Sequence, residues 1–375
     1  MPSNANTSGV QPALLFIPDI SGFTKFITDT EISHSQHIIQ ELLEIIIDAN
    51  QIGLEISEIE GDAILFYRFG PAPTAIEMLN QVREMFVRFH QHLRKYDRFR
   101  ICNCGACKTA NDLTLKFIAH YGDITENKIK DHIKLFGKEV IVVHRLLKND
   151  IEHHEYAMLT QPLLTATVSE YQGRELWAPL QGGSQEYDSG LIEFQYLALA
   201  PLSEQVPEPL AEDYSIPGAK EQVLHAETLI EAPLDMVFGV FADLPWRAKW
   251  VVGQEAGVEN IKEDIFQVGS SHRCIAGGPS LVTHDFKRSE EAVAFTETDD
   301  DRSQCTVYTL RRKSPVETQL EADYFLKRNP IKVFLFRLFG KNKKESYLTQ
   351  TMQNLNGYCK LLRSEGKAHP ESVKL

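Results

Sequence analysis

A membrane-spanning helix needs about 20 consecutive apolar residues, and this chain of 375 residues has no such run. Cysteine is scarce. Six residues in a chain of this length exclude a disulfide scaffold and suggest reduced thiols. Positive charge is also short: 39 Lys and Arg stand against 52 Asp and Glu, a formal net charge of −13. That balance excludes a general nucleic-acid binder, which needs a basic surface against phosphate. No charged n-region leads into an apolar h-region at the start, so the expected location is the cytoplasm. No internal repeat of fixed period is present, which excludes solenoids. What remains is ordinary globular composition, 43% hydrophobic and 24% charged, at a length that suggests two or three domains.

Residues 1–12 are small and polar and read as a flexible tail. Strand-like and helix-like segments alternate from 13 to 200. Residues 201–220, rich in Pro and acids, read as a linker. A second block spans 221–366, and a polar tail closes the chain at 367–375. In the first block Leu14 to Pro18 is a strand, and residues 33–53 are a helix, capped by Ser33 or Ser35 and ended by Gly53. "LEISEIEGDAILFYRF" reads as a hairpin with a tight turn at Glu60-Gly61-Asp62. A helix over 74–95, a strand over 113–125, a helix over 137–149 and a strand over 191–199 complete it.

"FIPDISGFTKF" places Asp19 where a core strand ends. A carboxylate there is costly to bury unless it is paired or holds a cation. Asp62 stands on the hairpin turn. Two such carboxylates form a hard oxygen site suited to Mg²⁺ or Mn²⁺. The turn Ser21-Gly22-Phe23-Thr24 offers backbone N–H groups where a phosphate would bind. Taken singly, each acid could be an ordinary turn residue. Together they point to a metal–triphosphate site.

"FIPDISGFT" and "EGDAILF", about forty residues apart, resemble the two metal-binding motifs of class III nucleotide cyclases. "HYGDITENKIKDHIKLFGKEVIVVHRLLKN" resembles the later cyclase segment, and the likeness covers about residues 13–200. More narrowly, the segment is similar to a bacterial branch described as a domain of unknown function. The resemblance implies a ferredoxin-like palm domain working as a homodimer on a nucleoside triphosphate. It places Asp19, Ile20 and Asp62 at the metal positions. Glu58 takes the base-reading position, leaning toward guanine. Lys134 takes the partner position, where it fits neither nucleotide class. Arg145 stands as the transition-state arginine. The matching asparagine position holds Ile141, which cannot donate a hydrogen bond. Losing one such donor costs on the order of a hundredfold in rate. The expectation is a nucleotide-binding domain with weak or absent cyclase activity. An active cyclase using GTP is the rival.

Cys102, Cys104 and Cys107 form a CxCxxC run that could hold Zn²⁺, with His120, His92 or His90 as fourth ligand, or act in redox sensing. Small, partly buried residues on a strand and turn are the plainer reading.

In the second block, "HAETLIEAPLDMVFGVFADLPWRAKWVVG" resembles the opening of the START or polyketide-cyclase-like superfamily, with Pro233 and Trp250 at matching places. The whole chain is thus expected to be α+β, a ferredoxin-like cyclase palm followed by a helix-grip domain. The resemblance implies a cavity for a lipid or another small apolar molecule. A lipid carrier whose first domain only dimerises is a third reading. His272, His284 and Asp285 are expected in structural roles. Residues 327–344 hold seven basic residues, no acid, and Phe334, Phe336 and Phe339. A membrane-surface helix is one reading. The favoured one is a gripping helix with these rings in the core.

Overall fold

The computed structural model describes residues 9–30, 32–101, 105–130, 132–171, 176–187, 190–210, 212–253, 258–262, 268–274 and 279–366. The chain divides into two units: Met1–Lys95 with Thr109–Pro209, and Tyr96–Lys108 with Leu210–Leu375. Among the described residues no helix is long and apolar enough to cross a membrane.

The first unit carries β1 (Gln11–Ser21), α1 (Phe23–Asp29), α2 (Ile32–Asp48), β2 (Glu55–Glu60), β3 (Ala63–Phe69) and α3 (Ala75–Phe99, whose last residues pass to the second unit). The short helix α4 (Gly105–Thr109) begins in the second unit. β4 (Thr114–Ile129), β5 (His132–Phe136), α5 (Lys138–Leu146), β6 (Tyr156–Thr160), α6 (Gln161–Tyr171), β7 (Gln181–Tyr187) and β8 (Gly190–Ala198) return to the first. The strand order is β2-β3-β1-β4-β6-β8-β7, with β5 folded back on the far end of β4. Only β4 and β6 run parallel among the described pairs.

β1 is buried on both faces, as a central strand must be when helices cover both sides. Ala13, Leu15 and Ile17 join a core with Val142, Val143 and Leu146 of α5. On the alternate residues, Phe16 stacks on Phe117 of β4 at 5.6 Å. β1 is longer than expected: Asp19 lies inside it rather than past its end, because pairing with β4 continues to Ser21. Helix α2 buries Ile38, Ile39, Leu42 and Ile46. It starts at Ile32, and the Ser35 hydroxyl donates back to the Ile32 carbonyl, so Ser35 sits within the helix and is not its cap. Thr74 and Glu77 instead form a reciprocal capping box at the start of α3, with the Thr74 N–H donating to Glu77 Oε2 at 2.7 Å.

The second unit adds β9 (Lys220–Ile230), α7 (Leu234–Ala242), α8 (Leu244–Arg247), β10 (Val258–Lys262), β11 (Ser271–Cys274), β12 (Leu281–Arg288), β13 (Ala292–Asp299), β14 (Gln304–Ser314), β15 (Glu317–Lys327), α9 (Pro330–Leu335) and α10 (Lys341–Ser364). Its strands form one antiparallel sheet ordered β10-β11-β12-β13-β14-β15-β9. Met352, Leu355, Cys359 and Leu362 of α10 pack into a core with Val237 and Phe241 of α7 and with Phe295, Leu310 and Leu320 of the sheet. The expectation that all three Phe residues of 327–344 enter the core fails. Phe336 is half-buried against Tyr324, but Phe334 is 60% and Phe339 78% exposed.

Candidate functional site

Strand pairing assembles the carboxylates. Asp19 lies opposite Ala63 on β3 and opposite Lys116 on β4. Asp62 precedes Ala63 directly, and the Ile20 N–H donates to the Asp62 carbonyl at 3.0 Å. Alternation along β1 puts Asp19 on the same face as Leu15 and Ile17, under α5. Two turns set the approach. Gly61 adopts φ 64° and Gly22 φ 90°, conformations that favour glycine. A Cβ at Gly61 would lie 3.7 Å from the Phe23 ring, so the start of α1 rests on the turn that carries Asp62. Ser21 ends β1, and Thr24 is exposed on α1, so the turn 21–24 follows the acids immediately.

Electrostatics make this pair uneasy. Burial, then the neighbouring Asp19 charge, pushes the Asp62 carboxyl up to about 6 from 3.8. Asp19 is 8% exposed, and its Oδ2 lies 3.0 Å from the Lys116 ammonium. Lys116 also donates to the Leu147 carbonyl, just beyond α5, at 3.3 Å. This lysine was missed in sequence; its place opposite Asp19 depends on the β1–β4 register. A divalent cation fits the donor set in chemistry: two carboxylates, one of them short of counter-charge. Ile20 could add only its carbonyl oxygen, since its side chain is apolar and fully buried. Among the described residues no group of three or more His, Cys, Asp or Glu forms a ready-made metal cluster.

Glu58 sits at a bulge in β2, its Oε1 3.4 Å from His144 Nε2 on α5. His144, another residue missed in sequence, precedes Arg145, which stands half-buried in the last turn of α5. Lys134 is exposed on β5, opposite Asn127, and β5 also touches β2. Ile141 is 56% exposed on α5. The structure therefore brings Glu58 of β2 against His144 of α5, and Asp19, Asp62 and Lys116 together at the β1 exit; Arg145 follows His144 on α5.

Cys102 and Cys104 lie outside the described residues. Cys107 is buried in α4. The histidines considered beside them have carboxylate partners. His90 Nε2 is 2.7 Å from Glu155, and His92 Nε2 is 3.0 Å from Glu41. His120 is engaged at both nitrogens, with Thr160 and Glu139.

The second unit contains a cavity of about 450 Å³ between α7, the sheet and α10. Phe241, Trp250, Tyr308, Leu320 and Leu355 give it an apolar wall. Into that wall is set a buried ion pair, Arg247 to Glu297 at 2.6 Å. Burial would raise the Glu297 carboxyl, but the Arg247 guanidinium, by its charge and its hydrogen bond, holds it below the usual range. Burial, with Arg247 beside it, lowers His272 to about 4, so it is neutral and accepts from Arg247 at 2.8 Å. His272 thus lines the cavity. His284 instead bonds Thr298 and Asp285 away from it.

Comparisons with known proteins match part of the chain. Residues 39–156 match the family described as protein of unknown function (DUF2652). The chain is 30% identical over 168 residues to uncharacterized protein Rv2561/Rv2562 of Mycobacterium tuberculosis, spanning 45% of this chain and 77% of that protein. The chain belongs to the family of that mycobacterial protein. Among solved structures it is similar to the dimeric guanylyl cyclase domain of the RhoGC fusion protein of the fungus Blastocladiella emersonii. The identity is 18% and the TM-score 0.34, over 50% of this chain and 96% of that one. It is also similar to the adenylyl cyclase CyaB of P. aeruginosa, at 11% identity and TM-score 0.32, over 50% and 95%.

Proposed function

We propose that the first unit binds a nucleoside triphosphate through Mg²⁺ or Mn²⁺ held by Asp19 and Asp62, and that the second binds a small, largely apolar molecule. The coupled role is sensing or regulation in the cytoplasm. The observation that carries this reading is the juxtaposed carboxylate pair, with Asp62 raised to about 6 and Lys116 paired directly with Asp19 while offsetting only part of the charge at Asp62. A like-charged pair with one member buried and the other half-buried is a structural cost unless something positive completes it. A bound cation would supply that charge and neutralise triphosphate oxygens. Glu58, oriented by His144, would accept from a guanine edge, which favours GTP over ATP.

Turnover is expected to be slow. Ile141 puts an exposed alkyl group where the family pattern needs an amide donor, and Lys134 adds a cation near the base. Arg145 keeps the rival reading, an active guanylyl cyclase, open to assay. Homodimer formation is supported by exposed apolar residues: Ile56, Ile59, Ile129, Ile133, Phe136 and Ile141 are each at least 43% exposed on β2, β4, β5 and α5. The second unit's reading as a helix-grip ligand domain is supported by its antiparallel sheet with first strand β9 beside last strand β15, its long last helix and its cavity. Trp250 Nε1 is buried, lines that cavity and has no partner among the described residues, so a ligand carrying a hydrogen-bond acceptor suits it.

Calorimetric titration of GTP and ATP, with and without Mn²⁺, tests the first reading. Binding that needs Mn²⁺ and disappears in Asp19→Ala is expected. Equal affinity in that variant would remove Asp19 as a ligand.

A further inference from the structure

We propose that residues 327–344 dock the second unit on an anionic lipid surface, beside its cavity. Ile331, Phe334, Leu335, Leu338 and Phe339 follow the spacing i, i+3, i+4, i+7, i+8 of one helical stripe. In a core-packed helix such a stripe faces inward. Here all five face water, with exposures of 72, 60, 47, 58 and 78%. The same segment has a second apolar side, Val333 and Phe336, which packs against Tyr324 and Leu348 in a small core. That core holds the helix in place and leaves the outward stripe without a structural task. Asn329 caps α9 by accepting from the N–H groups of Ile331 and Lys332, so the stripe begins on a fixed helix start.

Charge selects the partner. The segment carries seven basic residues and no acid within a chain of net charge −13. Lys327, Arg328, Lys332, Arg337, Lys341 and Lys343 are exposed around the stripe, and Arg337 also pairs with Glu221 at 2.8 Å. Exposed bulky apolar residues ringed by cations match the boundary between acyl chains and anionic headgroups. The seventh, Lys344, is held inward over the Tyr324 ring at 4.5 Å. Gly340, Lys343, Lys344 and Tyr347 also line the cavity, so a docked helix would bring this wall of the cavity to the lipid. The docking claim does not depend on the cavity being occupied.

The test is co-sedimentation of the full chain with vesicles of phosphatidylcholine alone or mixed with phosphatidylglycerol. Binding to the mixed vesicles only, weakened by salt, is expected. The double variant Phe334→Ser with Phe339→Ser should bind about tenfold or more weakly. Lys332→Gln with Lys341→Gln and Lys343→Gln should weaken binding and reduce its salt dependence. As a check independent of folding losses, Phe339→Trp should shift its emission to the blue on mixed vesicles. No binding of the wild type to mixed vesicles, or equal binding by the double serine variant, would overturn the proposal. So would a double serine variant that turns a dimer into a monomer with vesicle binding unchanged, since the stripe would then be a protein interface.

Discussion

The two units bury carboxylates in opposite ways. In the first, Asp19 and Asp62 are neighbours of like charge, and one lysine answers for both. In the second, Glu297 is fully buried but sits 2.6 Å from Arg247, so the pair is nearly self-sufficient. The difference separates two kinds of site. On the proposed reading, the like-charged pair calls for a cation from outside. The opposite-charged pair, set in an aromatic wall, needs none, and on the same reading it leaves the cavity to an organic ligand.

The largest effect should come from breaking the self-sufficient pair. Glu297→Ala strands the Arg247 guanidinium in an apolar wall and should cost about 3–5 kcal/mol in the second unit. Replacing both partners, Arg247→Met with Glu297→Leu, should recover most of that loss. Denaturation followed by tryptophan emission can check both, since Trp246 and Trp250 lie in the second unit and only Trp177 in the first.

The like-charged pair should behave oppositely, gaining from neutralisation. Asp62 stays protonated in the fold up to about 6 but ionises near 3.8 when unfolded. Its contribution is therefore nil below the lower value. Stability falls as pH rises between the two and stays reduced above the upper one. With partial exposure discounted, the loss should be about 1–2 kcal/mol. Asp62→Asn should flatten that part of a stability–pH profile measured without metal.

A smaller change is expected in chemistry. If the missing amide donor limits turnover, Ile141→Asn with Lys134→Cys should raise cyclic-nucleotide formation from GTP and Mn²⁺ by about tenfold, with affinity little moved. A wild type already at ordinary cyclase rates would contradict the degenerate-site reading. Smallest of all, Lys116→Met should tighten Mn²⁺ binding by roughly severalfold, because it removes the ammonium that shares Asp19.

Sequence patterns made part of this legible. The acids, the Gly61 turn and the α7 face of Met236, Val237, Val240 and Phe241 follow from motif and periodicity, which are local. Lys116 and His144 were not legible, because each gains its meaning from a residue far off in sequence, through strand register or helix packing. Arg247 and Glu297 were hidden for the same reason. The short strands β5, β6 and β7 were missed: β7, "QGGSQEY", has no apolar alternation and is held mainly by its ladder to β8. The Phe-rich stretch misled in the other direction, since its apolar spacing is that of a core helix and only exposure shows where the stripe points.

The central claim is that Asp62 waits for a cation. Calorimetry of Mn²⁺ binding in buffers of different ionisation heats counts the protons released. With Asp62 at about 6, binding at pH 6 should release roughly half a proton, at pH 8 almost none, and in Asp62→Asn none at either pH. No heat of Mn²⁺ binding at either pH, or a proton count that ignores both pH and the Asp62 substitution, would contradict it.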